Sequence, residues 1–236
     1  MNKPLSLLAA VVVASGVIAT VPGSTAHGSA PRAVQVAHLK GVRWHGCNSY
    51  RYAYVVGFGS VRCATLAVPM NHKRPHGKKV KLALSLIRHT SSAKHYEGVM
   101  LSNPGGPGGE GLDLGPYLAN SLPQKVSGRY DWISWDPRGV GASRPALTCD
   151  GGYFKGPRKP YRPTTKAILR YWQKRSKAYA DNCERKFPDL LRHITTKDTV
   201  RDMEAIRKAV KVHKINYYGY SYGTYLGQVY STLHPT

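Results

Sequence analysis

Acidic side chains are scarce in this chain: 12 Asp and Glu stand against 35 Lys and Arg, a formal charge of +23. Such an imbalance attracts nucleic acid, anionic lipid or an acidic cell envelope through long-range, salt-screened forces. The cations are dispersed through Lys73–Lys81, Lys155–Arg162, Arg170–Lys177 and Arg201–Lys214, and no nucleic-acid motif accompanies them. They read as solvated faces with nonspecific attraction to an anionic cell envelope, and specific nucleic-acid binding is not expected. Close cysteine pairs are missing too. Cys47, Cys63, Cys149 and Cys183 show no C-x-x-C spacing, so neither a metal site nor a cofactor is expected. Beyond the N-terminal segment no run is apolar enough to cross a bilayer, and no internal repeat or low-complexity tract is present.

What is present begins with an export signal. Lys3, an apolar stretch from Leu5 to Val21, Pro22-Gly23 and small residues up to Ala26 or Ala30 have the layout of a secretory signal peptide. Ser6, Ser15, Gly16 and Thr20 interrupt the stretch, which is short for a retained anchor. The expected organisation is a signal peptide over 1–30, a lead-in over 31–60 and a domain over 61–236, in a secreted protein. In an oxidising compartment the four cysteines are expected to form two disulfides. Of the three possible connectivities, Cys47 with Cys63 and Cys149 with Cys183 is favoured because each pair closes a local segment.

Val61–Val68 is expected as a strand, and Lys79–Arg88 alternates so that Val80, Leu82, Leu84 and Leu86 share one side. Asn71–Lys78, with Pro75 and Gly77, makes the turn of an antiparallel hairpin. Gly98–Ser102 and Tyr130–Trp135 are short buried strands, each running into a glycine-rich loop, 103–109 and 136–141. Gly151–Thr165 is basic and rich in Gly and Pro, an excursion over the surface. Lys166–Lys186 carries Ile168, Trp172, Tyr179 and Cys183 at helical spacing. A second helix starts from a Thr195 or Thr196 cap, presents Val200, Met203, Ile206 and Val210 as its inner stripe, and pairs Glu204 with Lys208. It leads to a strand at Ile215–Tyr218. Strands alternating with helices imply an α/β class with a mostly parallel sheet, entered through the antiparallel hairpin.

Directly after that strand, Gly219-Tyr220-Ser221-Tyr222-Gly223 spells G-x-S-x-G. A serine so flanked sits on a tight strand-to-helix turn that projects its hydroxyl above the sheet, and Ser221 is the candidate nucleophile. Acyl transfer also needs donors aimed at the oxyanion. One is the backbone N–H of the following residue, Tyr222, and the other comes from the loop Asn103–Gly109, whose glycines let amides approach a substrate. Asp136 and Arg138 read as a structural Asp–Arg network bracing that region. Glu110 reads as an acid near a helix N-terminus rather than a ligand for a substrate amine. From Tyr222 onward there is no Asp or Glu, and the only histidine is His234. A helix after the elbow would carry His234 roughly 20 Å from Ser221, at about 1.5 Å per residue, too far for a base.

The runs CATLAVPMNHKRP from Cys63, LSNPGGPGGEGL, WDPRGVGASRP and INYYGYSYGTYLGQVYSTLHP together resemble the secreted tripeptidyl aminopeptidase and proline iminopeptidase branch of the α/β-hydrolases. The resemblance implies an α/β-hydrolase fold, Ser221 as nucleophile, Tyr222 and Gly106 as oxyanion amides, and a substrate peptide with a free N-terminus. It also implies a cap, an acid and a histidine after the elbow helix, so a chain truncated at this point is expected to turn over negligibly and to fold poorly by itself. The elbow and its loop serve esters as well as amides, since both pass through a tetrahedral oxyanion. An esterase, or a basic remnant without activity, are the alternatives.

Overall fold

The computed structural model describes residue 39, residues 41–47 and residues 57–235. The signal segment 1–30, and much of the lead-in, lie outside the described residues. Six strands form one sheet: β1 (His45–Gly46), β2 (Arg62–Pro69), β3 (Lys79–Ile87), β4 (Gly98–Asn103), β5 (Tyr130–Trp135) and β6 (Asn216–Gly219). Their spatial order is β1-β2-β3-β5-β4-β6. β2 and β3 are the expected hairpin, paired from Arg62↔Leu86 to Pro69↔Lys79. β3 is antiparallel to β5, whereas β4 is parallel to both β5 and β6, so β2, β4, β5 and β6 all run one way.

Six α-helices accompany the sheet among the described residues: α1 (Leu114–Ser121), α2 (Gln124–Ser127), α3 (Lys166–Lys186), α4 (Pro188–Leu191), α5 (Thr196–Ala209) and α6 (Tyr222–Leu233). Both faces of the sheet are covered, and the strands alternate accordingly. Val80, Leu82, Leu84 and Leu86 of β3, with Ile133 and Trp135 of β5, share one core with Val200, Met203 and Ile206 of α5 and Leu226 of α6. Full burial of one such aliphatic side chain is worth about 1.5–3 kcal/mol, so this stripe is what holds α5 to the sheet. On the other face Trp132 packs with Leu114, Leu118 and Ala119 of α1. Small hydroxyl residues sit beneath the start of that helix. The Ser134 hydroxyl accepts from Gly115 N–H at 2.8 Å, and the Ser85 hydroxyl donates to Leu112 O at 2.5 Å.

Three features differ from the sequence reading. α1 and α2 supply the crossover between parallel β4 and β5, a connection such strands require. Their sequence, LGPYLANS followed by Pro123, hides the helix behind Pro116 and a short apolar pattern. α3 has the expected bounds, yet none of its residues is buried. Its base is tied down by the Cys149–Cys183 disulfide and by Lys186, whose Nζ donates to Cys149 O at 3.0 Å. The described part of the lead-in belongs to the same domain: Leu39 and Val42 are in the main core, and Cys47 is bonded to Cys63 beside the β1–β2 pairing.

α5 and α6 are joined by a polar pair at the far end from the elbow. Arg207 donates from Nε and Nη2 to the two Glu204 oxygens at 2.8 and 2.7 Å, and the Tyr230 hydroxyl donates to Glu204 Oε2 at 3.0 Å. Arg207 is thus a closer partner of Glu204 than the expected Lys208, at 3.3 Å. The Arg207 bond, helped by Tyr230 and Lys208, holds the Glu204 carboxyl down to about 2 against the opposing effect of burial. A carboxylate depressed in the folded state stabilises fully above its unfolded value and loses that contribution as pH falls toward its folded value. In denaturant titrations, Glu204→Gln is therefore expected to be less stable than the wild type at pH 6, with the difference shrinking below about 4.5 and gone near 2. A deficit independent of pH over that window would contradict this role for the charge.

Candidate active site

The turn between β6 and α6 is assembled by backbone contacts. β6 runs beside β4 with Gly219 opposite Asn103, and the Tyr220 N–H donates to Asn103 O at 3.1 Å. The chain then turns at Ser221, with φ 50° and ψ −123°, a sparsely populated conformation for a non-glycine residue that costs about 1–3 kcal/mol. Tyr220 O accepts from Gly223 N–H at 2.7 Å and Ser221 O from Thr224 N–H at 3.0 Å, which starts the helix at once. Gly223 is needed for proximity, because a Cβ there would stand 2.5 Å from Asn103 O. Ser221 is exposed and occupies the N-cap position of α6, yet its hydroxyl makes no capping hydrogen bond.

The glycine-rich loop after β4 lies directly on this turn. Gly105 has φ +92°, and a Cβ there would be 2.5 Å from Tyr220 O and 2.8 Å from Tyr222 N, so no other residue fits unshifted. Asn103 holds the loop: its Oδ1 accepts from Gly105 N–H at 2.9 Å, and Gly105 O accepts from Gly109 N–H at 3.0 Å. Gly106 follows at φ +116° and is exposed. Among the described residues neither the Gly106 N–H nor the Tyr222 N–H has a protein acceptor. The open Tyr222 amide lies in the first turn of α6, where orphan N–H groups and the helix dipole favour negative charge.

Two anionic side chains, Asp136 and Asp202, brace the surrounding loops. Asp136, fully buried, accepts from the backbone amides of Gly111, Leu112 and Ala142 at 2.7, 3.2 and 2.6 Å, tying the loop ahead of α1 to the loop after β5. Arg138 pairs instead with Asp202 of α5, donating from Nε and Nη2 at 2.7 and 2.6 Å. Its Nη1 also donates to Met70 O and His193 O at 2.9 and 2.7 Å, and His72 closes the cluster 3.2 Å from Asp202. Asp202 and His72 were not singled out from the sequence. The signal was an aspartate adjoining the inner stripe of α5. Glu110 is exposed; partial burial, then Asp136 and Asp113, push its carboxyl up.

Beside the turn opens a cleft of about 520 Å³, lined by Asn103, Gly105, Pro107, Thr199, Tyr222 and Leu226 among others. Tyr222 is anchored there by its hydroxyl, which hydrogen-bonds the Thr196 hydroxyl. The buried Nδ2 of Asn103 has no partner among the described residues. No histidine or carboxylate is among the side chains lining the cleft. His234, at the far end of α6, packs against Tyr230 with ring centroids 5.0 Å apart and the rings tilted by 40°, and lines a separate hollow with Glu204 and Arg207. The turn presents the Ser221 hydroxyl and the open Tyr222 amide, and among the described residues lining the cleft there is no base.

Several known proteins are similar to this chain. A family model described as alpha/beta hydrolase fold matches residues 98–236. The chain is 39% identical over 178 residues to a tripeptidyl aminopeptidase of Streptomyces lividans, covering 74% of this chain and 33% of that protein. It is 33% identical over 197 residues to the serine protease Hip1 of Mycobacterium tuberculosis, covering 82% and 37%. A carboxylesterase B of Mycobacterium tuberculosis is 32% identical over 207 residues, covering 86% and 39%. The chain thus spans between a third and two-fifths of the length of these relatives.

Removing one partner of a buried ion pair leaves an uncompensated charge, at a cost of about 3–5 kcal/mol. Asp202→Ala is accordingly expected to lower unfolding stability by that amount in urea titrations, since Arg138 and Asp202 are both almost wholly buried. A loss within experimental error would show that the Arg138 contacts to backbone carbonyls suffice.

Proposed function

The chain belongs to the α/β-hydrolase fold family, and on that premise we propose that it acts as a secreted serine peptidase of the tripeptidyl aminopeptidase branch, with Ser221 as the nucleophile. The observation that carries this reading is the uncapped hydroxyl of Ser221 at φ 50° beside the unpartnered Tyr222 amide, with the unpartnered Gly106 amide in the loop whose Gly105 packs on the same turn. In this scheme Ser221 Oγ adds to the carbonyl carbon of the scissile bond and gives up its proton to a base. The carbonyl oxygen becomes an oxyanion held by the two N–H groups, and the bond to the leaving amine then breaks as that amine takes up the proton. Water releases the acyl group by the same steps in reverse order of partners.

Similarity to the tripeptidyl aminopeptidases supports a substrate peptide with a free N-terminus, from which short peptides or single residues are released. The similarity to a carboxylesterase supports a second reading, hydrolysis of small esters through the same oxyanion. The two disulfides and the similarity to Hip1 are consistent with an extracellular or envelope location, and the signal-like N-terminus supports secretion. Because the cleft lacks a base among the described residues, residues 1–236 alone are proposed to turn over negligibly.

The test uses the full chain with a fluorophosphonate probe, tripeptide amides with free or acetylated N-termini, and short-chain esters. Ser221→Ala is expected to abolish labelling and lower kcat by about 10⁴-fold or more. Turnover restricted to the free-amine peptides supports the aminopeptidase; equal turnover of acetylated peptides refutes it, and turnover of esters alone supports the second reading. Strong labelling of residues 1–236 alone, lost in Ser221→Ala, would show that a base is present within them.

A further inference from the structure

The surface from residue 151 to residue 180 is uniform in sign. It holds nine Lys and Arg and no Asp or Glu, and none of its residues is buried. Among the described residues only Lys177 of the nine forms an ion pair, with Asp181 at 2.8 Å. A stretch with so little to bury and so much like charge would be expected to stay unstructured. It is ordered instead by aromatic and cation–π contacts. Tyr161 stacks on Trp172 of α3 with centroids 5.0 Å apart and 16° between planes, and Tyr153 packs on Tyr179 at 4.7 Å. The Arg158 guanidinium lies 5.5 Å from the Phe154 ring and 5.6 Å from that of Tyr161, and Arg175 lies 4.6 Å from Tyr153. The Trp172 indole N–H donates to Pro160 O at 2.8 Å, and Cys149–Cys183 closes the base of the unit.

The result is a platform on which large rings stand open to solvent: Phe154 is 71% exposed and Tyr161 69%. We propose that this loop and α3 form a docking surface for an anionic polysaccharide. Its acidic groups would pair with Arg158 and its neighbours, and its sugar rings would lie against Phe154 and the outer face of Tyr161. Charge complementarity favours a polyanion. Two observations favour a glycan over a nucleic acid. Most of the aromatic faces are already engaged with one another, whereas single-stranded nucleic acid needs a row of open faces for its bases. The paired disulfides also suit an oxidising compartment. The surface does not involve Ser221 and stands or falls separately from the peptidase reading.

Binding of the full chain to polygalacturonate is measured over a range of salt, with dextran as the uncharged glycan and an oligodeoxythymidylate as the other polyanion. Polygalacturonate is expected to bind, dextran to bind far more weakly, and affinity to fall as salt rises. Replacing Lys155, Arg158, Lys159 and Arg162 by Ala is expected to weaken binding about 10-fold or more and to flatten the salt dependence. Replacing Lys73, Arg74, Lys78 and Lys79, equally exposed and elsewhere on the surface, should leave binding within about 2-fold. Phe154→Ala, at a ring 71% exposed, should weaken polygalacturonate binding with an unchanged salt slope. Equal losses from both sets of four would show a general effect of net charge and overturn the proposal. Wild-type binding by the Lys155 set, or oligodeoxythymidylate binding as tight as polygalacturonate, would overturn it as well.

Discussion

Backbone must touch backbone where β4 and β6 leave the sheet, and the remainder of the site follows from that contact. Asn103 O takes the Tyr220 N–H at 3.1 Å, while the absent Cβ of Gly223 would lie 2.5 Å from the same oxygen. Gly105 rests on the other side of the turn, its own missing Cβ only 2.8 Å from Tyr222 N. With strand, loop and helix this close, Ser221 has one conformation left to it. The cost of that conformation, about 1–3 kcal/mol, is comparable to the three backbone hydrogen bonds that surround it, each worth about 1 kcal/mol net. Local strain and local bonding are thus nearly balanced. The rigidity of the turn comes from the sheet and from α6, which Leu226 and Tyr230 anchor in the main core.

Buried charge sets the positions of the loops that the sheet alone would leave free. Asp136 collects amides from both sides, Gly111 and Leu112 ahead of α1 and Ala142 after β5. Arg138 reaches across to α5 and to the β2–β3 turn through Asp202 and Met70 O. Each is fully buried, so each is costly if left unpaired. Substituting either residue alone would release several loops together, and Arg138 lines the cleft that the Asn103–Gly109 loop shares. Structural anions and the open amides of the site are therefore kept apart. The carboxylates satisfy amides that belong to the scaffold, and the amides of Gly106 and Tyr222 are left without an internal acceptor.

Much of this was legible in the sequence because the relevant signals are local. The alternation of β3, the Thr195 cap and Val200–Met203–Ile206 stripe of α5, and the elbow motif all appear where their periodicity or turn chemistry placed them. What escaped depends on contacts between distant segments. α1 is a helix because Leu114, Leu118 and Ala119 meet Trp132, and its own short pattern with Pro116 gives little indication of that. The partner of Arg138 is Asp202, separated by 64 residues and visible in sequence only as an aspartate on a helix. α3 was legible as a helix, but what its rings meet was not: Trp172 and Tyr179 form an aromatic platform with loop residues Tyr161 and Tyr153.

Among the described residues three α-helices begin at a hydroxyl residue, and the difference among them separates scaffold from site. Thr165 and Thr195 have extended backbones, and their side chains accept from Ile168 N–H and Asp198 N–H, so each hydroxyl completes the start of its helix. Serine is equally suited to that task, and a cap bond is worth about 1 kcal/mol. Ser221 forgoes it: its hydroxyl makes no cap bond, and the amides such a cap would meet, those of Gly223 and Thr224, donate instead to Tyr220 O and Ser221 O. The hydroxyl and the Tyr222 N–H are therefore both left without an internal partner. A turn that keeps the two groups open and fixed at the rim of a cleft has the arrangement an acyl-transfer site requires, with the hydroxyl free to attack and the amide free to receive the charge that develops.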